Sequence, residues 1–228
     1  MKPFKLLFLV SCCSILVSCS QSLVYSPSVN LPVRPLKEKE IDLHGGLEMM
    51  PETRPEGIGG EKTTFGANGQ ITYGFSDKFN LGVKGWADMQ GRENYFRSGY
   101  ALTAQFIRPR SECSRMIYVP RTGMVLDGRY IAGYGFSLSA LYQREIVENL
   151  SYTVGAGALW GFNTISEEEG DKMGIGLQGT ASIGWIFTDN FRLGIELTPL
   201  YQINLFDHNQ QFIFSPQIGV GYTITQKK

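Results

Sequence analysis

The sequence predicts an all-β fold: a closed antiparallel transmembrane β-barrel of eight to ten strands whose apolar face points outward. The first observation behind this prediction is a strict alternation of large apolar residues with small or polar ones. It runs from Leu150 to Phe162, from Met173 to Phe187 and from Phe191 to Ile203. Side chains alternate between the two faces of a strand, so each segment has one apolar and one polar face. The second observation is that tight turns alternate with longer polar connections, as they do in membrane barrels.

Residues 1–18 are predicted to form a lipoprotein signal peptide. Lys2 and Lys5 precede an apolar run from Leu6 to Val17, which is too short to span a bilayer. The run leads into Leu-Val-Ser-Cys, which resembles the bacterial lipobox and ends at Cys19. The resemblance implies that Cys19 becomes the mature N terminus and carries diacylglycerol and an N-acyl chain such as palmitate. The alternative is an ordinary signal peptide with an unrelated cysteine.

Residues 19–39 are predicted to be the lipidated N terminus and an extended tether between the lipid and the barrel. The segment is rich in Ser, Pro and Val, with Pro27, Pro32 and Pro35 spaced through it, and such a composition favours an extended chain. The barrel itself is assigned to residues 40–228.

Composition excludes several classes of function. The chain of 228 residues has 21 Lys and Arg against 21 Asp and Glu, so nothing in its charge points to nucleic acid. Cys12 and Cys13 leave with the signal peptide and Cys19 is acylated, which leaves Cys113 without a partner for a disulfide or a cysteine metal site. No nucleotide loop or metal spacing is present. We therefore predict no catalytic, cofactor-binding or metal-binding residues, and no cofactor beyond the acyl groups on Cys19.

Nine strands are readable in the sequence. Three tight turns, at Ser76–Lys78, Glu148–Asn149 and Thr188–Asn190, join pairs of strands, while the other connections are longer and polar. Each strand is near the ~9–11 residues that a tilted strand needs to cross a bilayer. The strands begin near Ile41, Phe65, Phe79, Phe96, Tyr130, Leu150, Met173, Phe191 and Phe212.

The segment from Arg108 to Gly128 decides the strand count. Bacterial barrels have an even number of strands, and the three tight turns fall on one side only if this segment holds a further strand, which gives ten. If the segment is instead an excursion, or the first strand is not part of the wall, the count is eight. Ten is slightly favoured. Pro199 and Pro216 stand within neighbouring strands and lack a backbone donor, so a bulge or weakened pairing is expected there.

The polar face of the strands is predicted to line the lumen. A soluble barrel of lipocalin type needs a strongly charged outer face, but this row consists mainly of Gly, Ser, Thr, Gln and Asn. Charged side chains are costly in lipid, so those on the polar row belong inside. They form either a mutually neutralising ionic plug or a narrow, gated polar path. The predicted lumen charges are Glu40, Asp42, Glu48, Lys84, Asp88, Arg97, Glu145, Arg192 and Glu196.

These features together resemble small bacterial outer-membrane β-barrel proteins, broadly of OmpA type. The residues that carry the likeness are the lipobox, the repeated turn signature and the terminal Gly219-x-Gly221-Tyr222-x-Ile224; the lead-in from Asn30 to Glu40 is similar to barrel lipoproteins of Bacteroidetes type. The resemblance implies a lipid-anchored protein of the outer membrane with periplasmic termini. Its partners would be outer-membrane lipid, the barrel-assembly and lipoprotein-sorting machineries, and an unidentified surface partner.

Function is predicted only by class. The favoured hypothesis is a barrel with a narrow, plugged polar lumen and a structural or surface-interaction role. The alternatives are a narrow pore for small solutes, a periplasmic lipocalin-like binder of small ligands, and a lipid-modifying barrel enzyme. His44 and His208 are the only histidines, and neither belongs to a recognised catalytic motif, so the protein is not expected to be an enzyme.

Overall fold

In the computed structural model of the protein, the described residues are 26–51, 63–88, 97–127, 130–163, 172–188, 190–205 and 210–225. They form ten β-strands. The strands are β1 (Ile41–Pro51), β2 (Thr63–Ser76), β3 (Phe79–Asp88), β4 (Arg97–Ser111), β5 (Ser114–Asp127), β6 (Tyr130–Val147), β7 (Leu150–Asn163), β8 (Lys172–Ile186), β9 (Phe191–Asn204) and β10 (Gln210–Ile224).

The sheet is a closed antiparallel barrel. Every strand pairs with the next one along the chain, and β1 pairs with β10 to close the ring. The closing register places Ile41 opposite Ile224. Closure removes the free edges that an open sheet would leave unpaired. The predicted fold class is confirmed, with ten strands as favoured.

The tenth strand is β5, within the segment that the sequence left ambiguous. Its alternation is hard to recognise because three residues of its inner row, Ile117, Val119 and Val125, are apolar and buried, so both rows carry large apolar side chains. Pairing with β4 is also interrupted between the pairs Thr103–Arg121 and Phe106–Tyr118. Pro120 lies in that gap, and a proline has no amide hydrogen to donate.

The short connections gather at one end of the barrel, called the turn end here. They are residues 77–78, 112–113, 148–149 and 187–190, and the positive φ of 71° at Asn149 suits a residue that tolerates the left-handed region. At the opposite, loop end, residues 52–62, 89–96, 128–129, 164–171 and 205–209 connect the strands. Among these loop-end connections, the one at residues 128–129 is as short as a tight turn.

The two mid-strand prolines have different effects. The register between β9 and β10 runs without a shift past both Pro199 and Pro216, so the expected bulge is absent from this pair. Between β8 and β9, pairing is interrupted from Gln178–Leu200 to Ala181–Leu197. The pairing is therefore weakened beside Pro199, on the β8 side alone.

Residues 26–36, called the luminal segment here, lie inside the barrel. They were predicted to be part of an extended tether between the lipid and the barrel; instead, Ser26, Ser28, Val29 and Leu36 are almost completely shielded from solvent. The physical reason is that the chain reverses its direction at the turn end, so the residues before β1 lie inside the ring that β1 helps to form.

The reversal spans residues 37–40. The amide of Glu40 donates to the carbonyl of Lys37 at 3.1 Å, and the amide of Lys39 donates to the carbonyl of Gly74 on β2 at 2.7 Å. Lys39 has a positive φ of 67°. Gly74 is required here, because a Cβ at this position would overlap with the Lys37 carbonyl oxygen.

Candidate functional site in the barrel lumen

From residue 36 back to residue 26, the luminal segment runs from the turn end toward the loop end. Val33 lies beside Arg115, the second residue of β5, close to a tight turn. Ser28 contacts Glu48, far along β1 from the turn end. The chain therefore passes through the lumen along its axis, in an extended conformation without strand or helix pairing of its own.

Two cationic side chains bind the backbone of the upper part of the segment, which is the part nearer the loop end. The Lys84 ammonium donates to the Ser28 carbonyl at 2.7 Å and to the Ser28 hydroxyl at 2.6 Å. The Arg121 guanidinium donates to the carbonyls of Ser26 and Ser28 at 3.1 and 2.9 Å. Ser28 Oγ donates in turn to Glu48 Oε2 at 2.5 Å, so a hydroxyl of the segment bridges a wall cation and a wall anion.

Three donors from three strands hold the lower part. Arg192 donates to the Leu31 carbonyl at 3.0 Å, Gln143 to the Pro32 carbonyl at 2.9 Å and Arg115 to the Val33 carbonyl at 2.9 Å. A buried carbonyl without a partner is costly. These wall side chains take the place that a neighbouring strand would have had.

Glu196 and Asn30 fix the middle of the segment. The Glu196 carboxylate accepts from the amides of Val29 and Asn30 at 2.5 and 3.1 Å. Asn30 has a positive φ of 56°, and its side-chain amide donates to Asn68 Oδ1 at 2.9 Å and accepts from Gln217 Nε2 at 2.7 Å. Backbone amides, backbone carbonyls and a side chain of the segment are thus all engaged by the wall.

Apolar residues of the segment pack against an apolar patch of the wall. Val29 belongs to a buried cluster, with Leu31 packed against it, and Val33 approaches β8 at Gly184, where a Cβ would overlap with its Cγ2. Burial of such side chains stabilises by about 25 cal/mol per Å². The wall residues of the cluster come from β4, β5 and β6, namely Ile107, Ile117, Val119 and Leu141.

The predicted lumen charges fall into three groups. Two of them, Asp88 and Glu145, are partly exposed, and the side chain of Arg97 lies outside the described part of the chain. Arg192 forms an ion pair with Asp42 at 2.6 Å. The charges that are buried on the inner face are Glu40, Asp42, Glu48, Lys84, Arg192 and Glu196.

Glu40 closes the lower end of the site. Arg34 of the luminal segment forms an ion pair with it at 2.8 Å, and the Lys37 amide donates to the same carboxylate at 2.9 Å. Burial favours the neutral acid, but these two donors outweigh it and hold the pKa of Glu40 below its ordinary value. The carboxylate therefore stays charged and ties the segment to the start of β1.

Arg115 and Arg121 were not predicted as lumen residues. Arg115 and Arg121 belong to the ambiguous stretch, where the apolar inner row hid the alternation; Arg121 is nonetheless buried. Gln143 was placed on the polar row but not recognised as a contact. For Arg115, the available signal was an arginine flanked by Ser114 and Met116 between two prolines. This signal becomes informative only once the strand is assigned.

His44 lies on the inner face, but no catalytic arrangement surrounds it in the described residues. Its Nε2 is 3.0 Å from Gln217 Nε2 and its Nδ1 is 3.4 Å from Arg192. A cavity of about 30 Å³ lies beside His44, Asn30 and Val33, with room for about two water molecules. His208 is outside the described residues, and among those described no three potential ligands are grouped to hold a metal ion.

The outer face of the wall is apolar over most of its height. Leu177, Ile183 and Ile195 are 66%, 56% and 52% exposed. Aromatic side chains form contact chains near the turn end, such as Phe79–Phe106 and Trp185–Phe187 with ring centroids 5.2 and 4.3 Å apart. A continuous apolar belt with aromatic residues at its border requires a hydrocarbon environment.

The protein is a transmembrane β-barrel. The soluble alternative needed the apolar row to face inward, and that row faces outward. The described ranges contain no apolar helix of membrane-spanning length.

Solved structures that the barrel resembles are outer-membrane proteins. The outer membrane protease OmpT of Escherichia coli has 9% identity and a TM-score of 0.45, with 90% of this chain and 99% of that one covered. An outer membrane channel of Pseudomonas putida has 12% identity and a TM-score of 0.46, covering 89% and 100%. The KdgM porin has 10% identity and a TM-score of 0.41, covering 82% and 99%.

These likenesses assign no activity to the barrel, because identities this low come with TM-scores below 0.5. No protein-family model matches the chain, and neither does any curated protein.

Proposed function

We propose that this protein is a non-enzymatic outer-membrane lipoprotein whose lumen is closed by its own residues 26–36, and that it acts through the connections at its loop end in a structural or surface-interaction role. The barrel would hold these connections in the membrane and would not conduct solutes. Cys19 would carry diacylglycerol and an N-acyl chain.

The observation that carries the proposal is the way in which the wall holds the luminal segment. A solute path needs a water-filled lumen, but Lys84, Arg121, Arg192 and Glu196 direct their charges at backbone groups of the segment. Hydrogen bonds to charged groups contribute about 1.5–3 kcal/mol each. Release of the segment would break several of them at once and leave buried charges without these partners, so the closed state is strongly favoured.

A planar-bilayer measurement tests closure. We expect the wild-type protein to give no single-channel steps, because the segment fills the axis of the lumen. A variant lacking residues 26–34 should give steps of stable conductance, since the wall charges would then be hydrated. A heat-dependent shift in gel mobility, measured for both proteins, confirms that each barrel is folded.

Two results would contradict closure. Clear single-channel steps from the folded wild-type protein would favour the narrow pore. A folded deletion variant as silent as the wild type would mean that wall side chains, and not the segment, close the barrel. If the deletion variant does not fold, the double variant Lys84→Ala/Arg121→Ala provides the same comparison, because it keeps the chain length and removes the hydrogen bonds that these cations donate to Ser26 and Ser28.

Metabolic labelling tests the anchor. Cells that express the protein and are fed radioactive palmitate should incorporate label into it, because the thiol of Cys19 is the predicted acylation site. Cys19→Ala should remove the label, whereas Cys113→Ala, which removes an exposed thiol at the turn end, should keep it. Equal labelling of the two variants would exclude Cys19 as the site.

A further inference from the structure

The direction of the luminal segment determines where the N terminus leaves the barrel. The segment enters the lumen at the turn end, where Lys39 and Glu40 are hydrogen-bonded beside β2. At Ser26 it lies level with Lys84 and Arg121, which are well inside β3 and β5. The chain therefore approaches the loop end as it approaches its N terminus.

Return to the turn end is blocked. The lower half of the lumen already holds residues 29–36 together with Arg192, Gln143 and Arg115, which are bonded to them. The cavity beside Asn30 and Val33 has a volume of about 30 Å³, with room for only about two water molecules. A second pass of peptide needs many times this volume.

The loop end is within reach of the residues that precede Ser26. About four residues of β3 lie between Lys84 and the end of the strand at Asp88, which is roughly 13 Å at 3.3 Å per residue. The seven residues from Cys19 to Tyr25 span up to roughly 24 Å when extended. Cys19 can therefore reach the membrane interface at the loop end.

We propose that the chain leaves the lumen at the loop end and inserts the acyl chains of Cys19 into the outer leaflet, at the cell surface. Longer connections mark the extracellular side of bacterial barrels, so the loop end is the outer one. This inference rests on the proposed acylation of Cys19. It replaces the expected periplasmic N terminus with a surface one, while Thr225, which follows β10, stays at the turn end, where its hydroxyl donates to Glu40.

The native Cys113 provides a reporter of accessibility at the turn end of the barrel. Its thiol is exposed in the turn between β4 and β5. We compare it with two variants in a Cys113→Ser background: Ser22→Cys, near the N terminus, and Glu168→Cys, in the connection between β7 and β8. Each protein is treated with a membrane-impermeant maleimide, first on intact cells and then after the outer membrane is permeabilised.

We expect Ser22→Cys and Glu168→Cys to be labelled on intact cells, and Cys113 only after permeabilisation. Labelling of Ser22→Cys only after permeabilisation, together with Cys113, would overturn the inference. As a second readout, a specific protease site inserted after Ser22 should be cut on intact cells. The inference would also be overturned if, on intact cells, the Ser22→Cys variant resisted labelling and the inserted protease site resisted cutting.

The outcomes separate this inference from the proposed function. If Cys19 carries palmitate but Ser22→Cys is labelled only after permeabilisation, the anchor is kept and the surface exit is rejected. If Ser22→Cys is labelled on intact cells but no palmitate is incorporated, the exit is kept and the anchor is rejected. Bilayer conductance depends on neither, because it reports on residues 26–36 alone.

Discussion

At the scale of single residues, Gly184 leaves the space on β8 that Val33 fills. A Cβ added there would overlap with Val33 Cγ2, whereas a Cβ at its cross-strand neighbour Gly194 would meet its nearest atom, the Ile183 carbonyl oxygen, at an ordinary 3.7 Å. We expect Gly184→Ala to destabilise the folded barrel by about 1–3 kcal/mol, the usual cost of overpacking. Denaturant unfolding in lipid vesicles measures the change.

Two variants control for the general effect of a glycine substitution. Gly194→Ala should stay within about 0.5 kcal/mol of the wild type, as substitutions away from packed sites do. Adding Val33→Ala to Gly184→Ala should recover part of the lost stability, because the two positions are in contact. Equal costs for the two glycine variants, with no recovery, would show that Val33 does not occupy this space.

At the scale of structural elements, the luminal segment and β8 are close enough to be joined covalently. Val33 Cβ is 3.6 Å from the position of a Cβ at Gly184, within the 3.5–4.5 Å typical of disulfides. We expect Val33→Cys/Gly184→Cys, in a Cys113→Ser background, to form a disulfide during export. Non-reducing peptide mapping should detect the cross-linked pair.

The control places the second cysteine at Gly219 on β10, another inward glycine, where the three atoms nearest to an added Cβ belong to His44 and Gly45. Val33→Cys/Gly219→Cys should remain reduced or cross-link between molecules. A cross-link that formed equally well at both positions would mean that the segment moves freely in the lumen.

The elements differ in how far the sequence could predict them. Strands such as β7 and β8 were predictable because each has one apolar row against lipid and one small row inside. The luminal segment was not, since a Ser-, Pro- and Val-rich extended chain has the same composition in water as inside a barrel. β5 was ambiguous for a related reason: Ile117 and Val119 on its inner row face Val29 and Leu31, which are themselves inside.

At the scale of the whole molecule, the apolar outer face determines the medium in which the barrel is stable. Leu177 is 66% exposed and lies within β8. We expect Leu177→Arg to destabilise the barrel in vesicles by about 2–4 kcal/mol, the range for a cation near the bilayer midplane. Urea titration followed by tryptophan fluorescence measures this loss.

The matched control is Ser76→Arg, which adds the same charge to an exposed residue at the turn end. It should change stability by less than about 1 kcal/mol, since the penalty falls near the interface. If Leu177→Arg proved as mild as Ser76→Arg, the outer face at Leu177 would not be in contact with hydrocarbon.

The inner face was predictable as a surface but not as a set of contacts. Alternation assigns Lys84, Arg192 and Glu196 to the inside, because period two leaves only two faces. It does not reveal that each of them binds the backbone of the luminal segment, since a backbone partner carries no signature in the sequence. Arg192 also forms an ion pair with an acidic residue of the wall, Asp42.

The reversal at residues 37–40 has a consequence for the order of assembly. The seam between β1 and β10 joins Ile41 to Ile224, the ends of the barrel sequence, and such long-range pairing is slow to form. Once the seam is closed, a segment bonded to the wall along its length has no lateral way in. We therefore expect the luminal segment to be in place before β1 and β10 pair, so that the barrel closes around it.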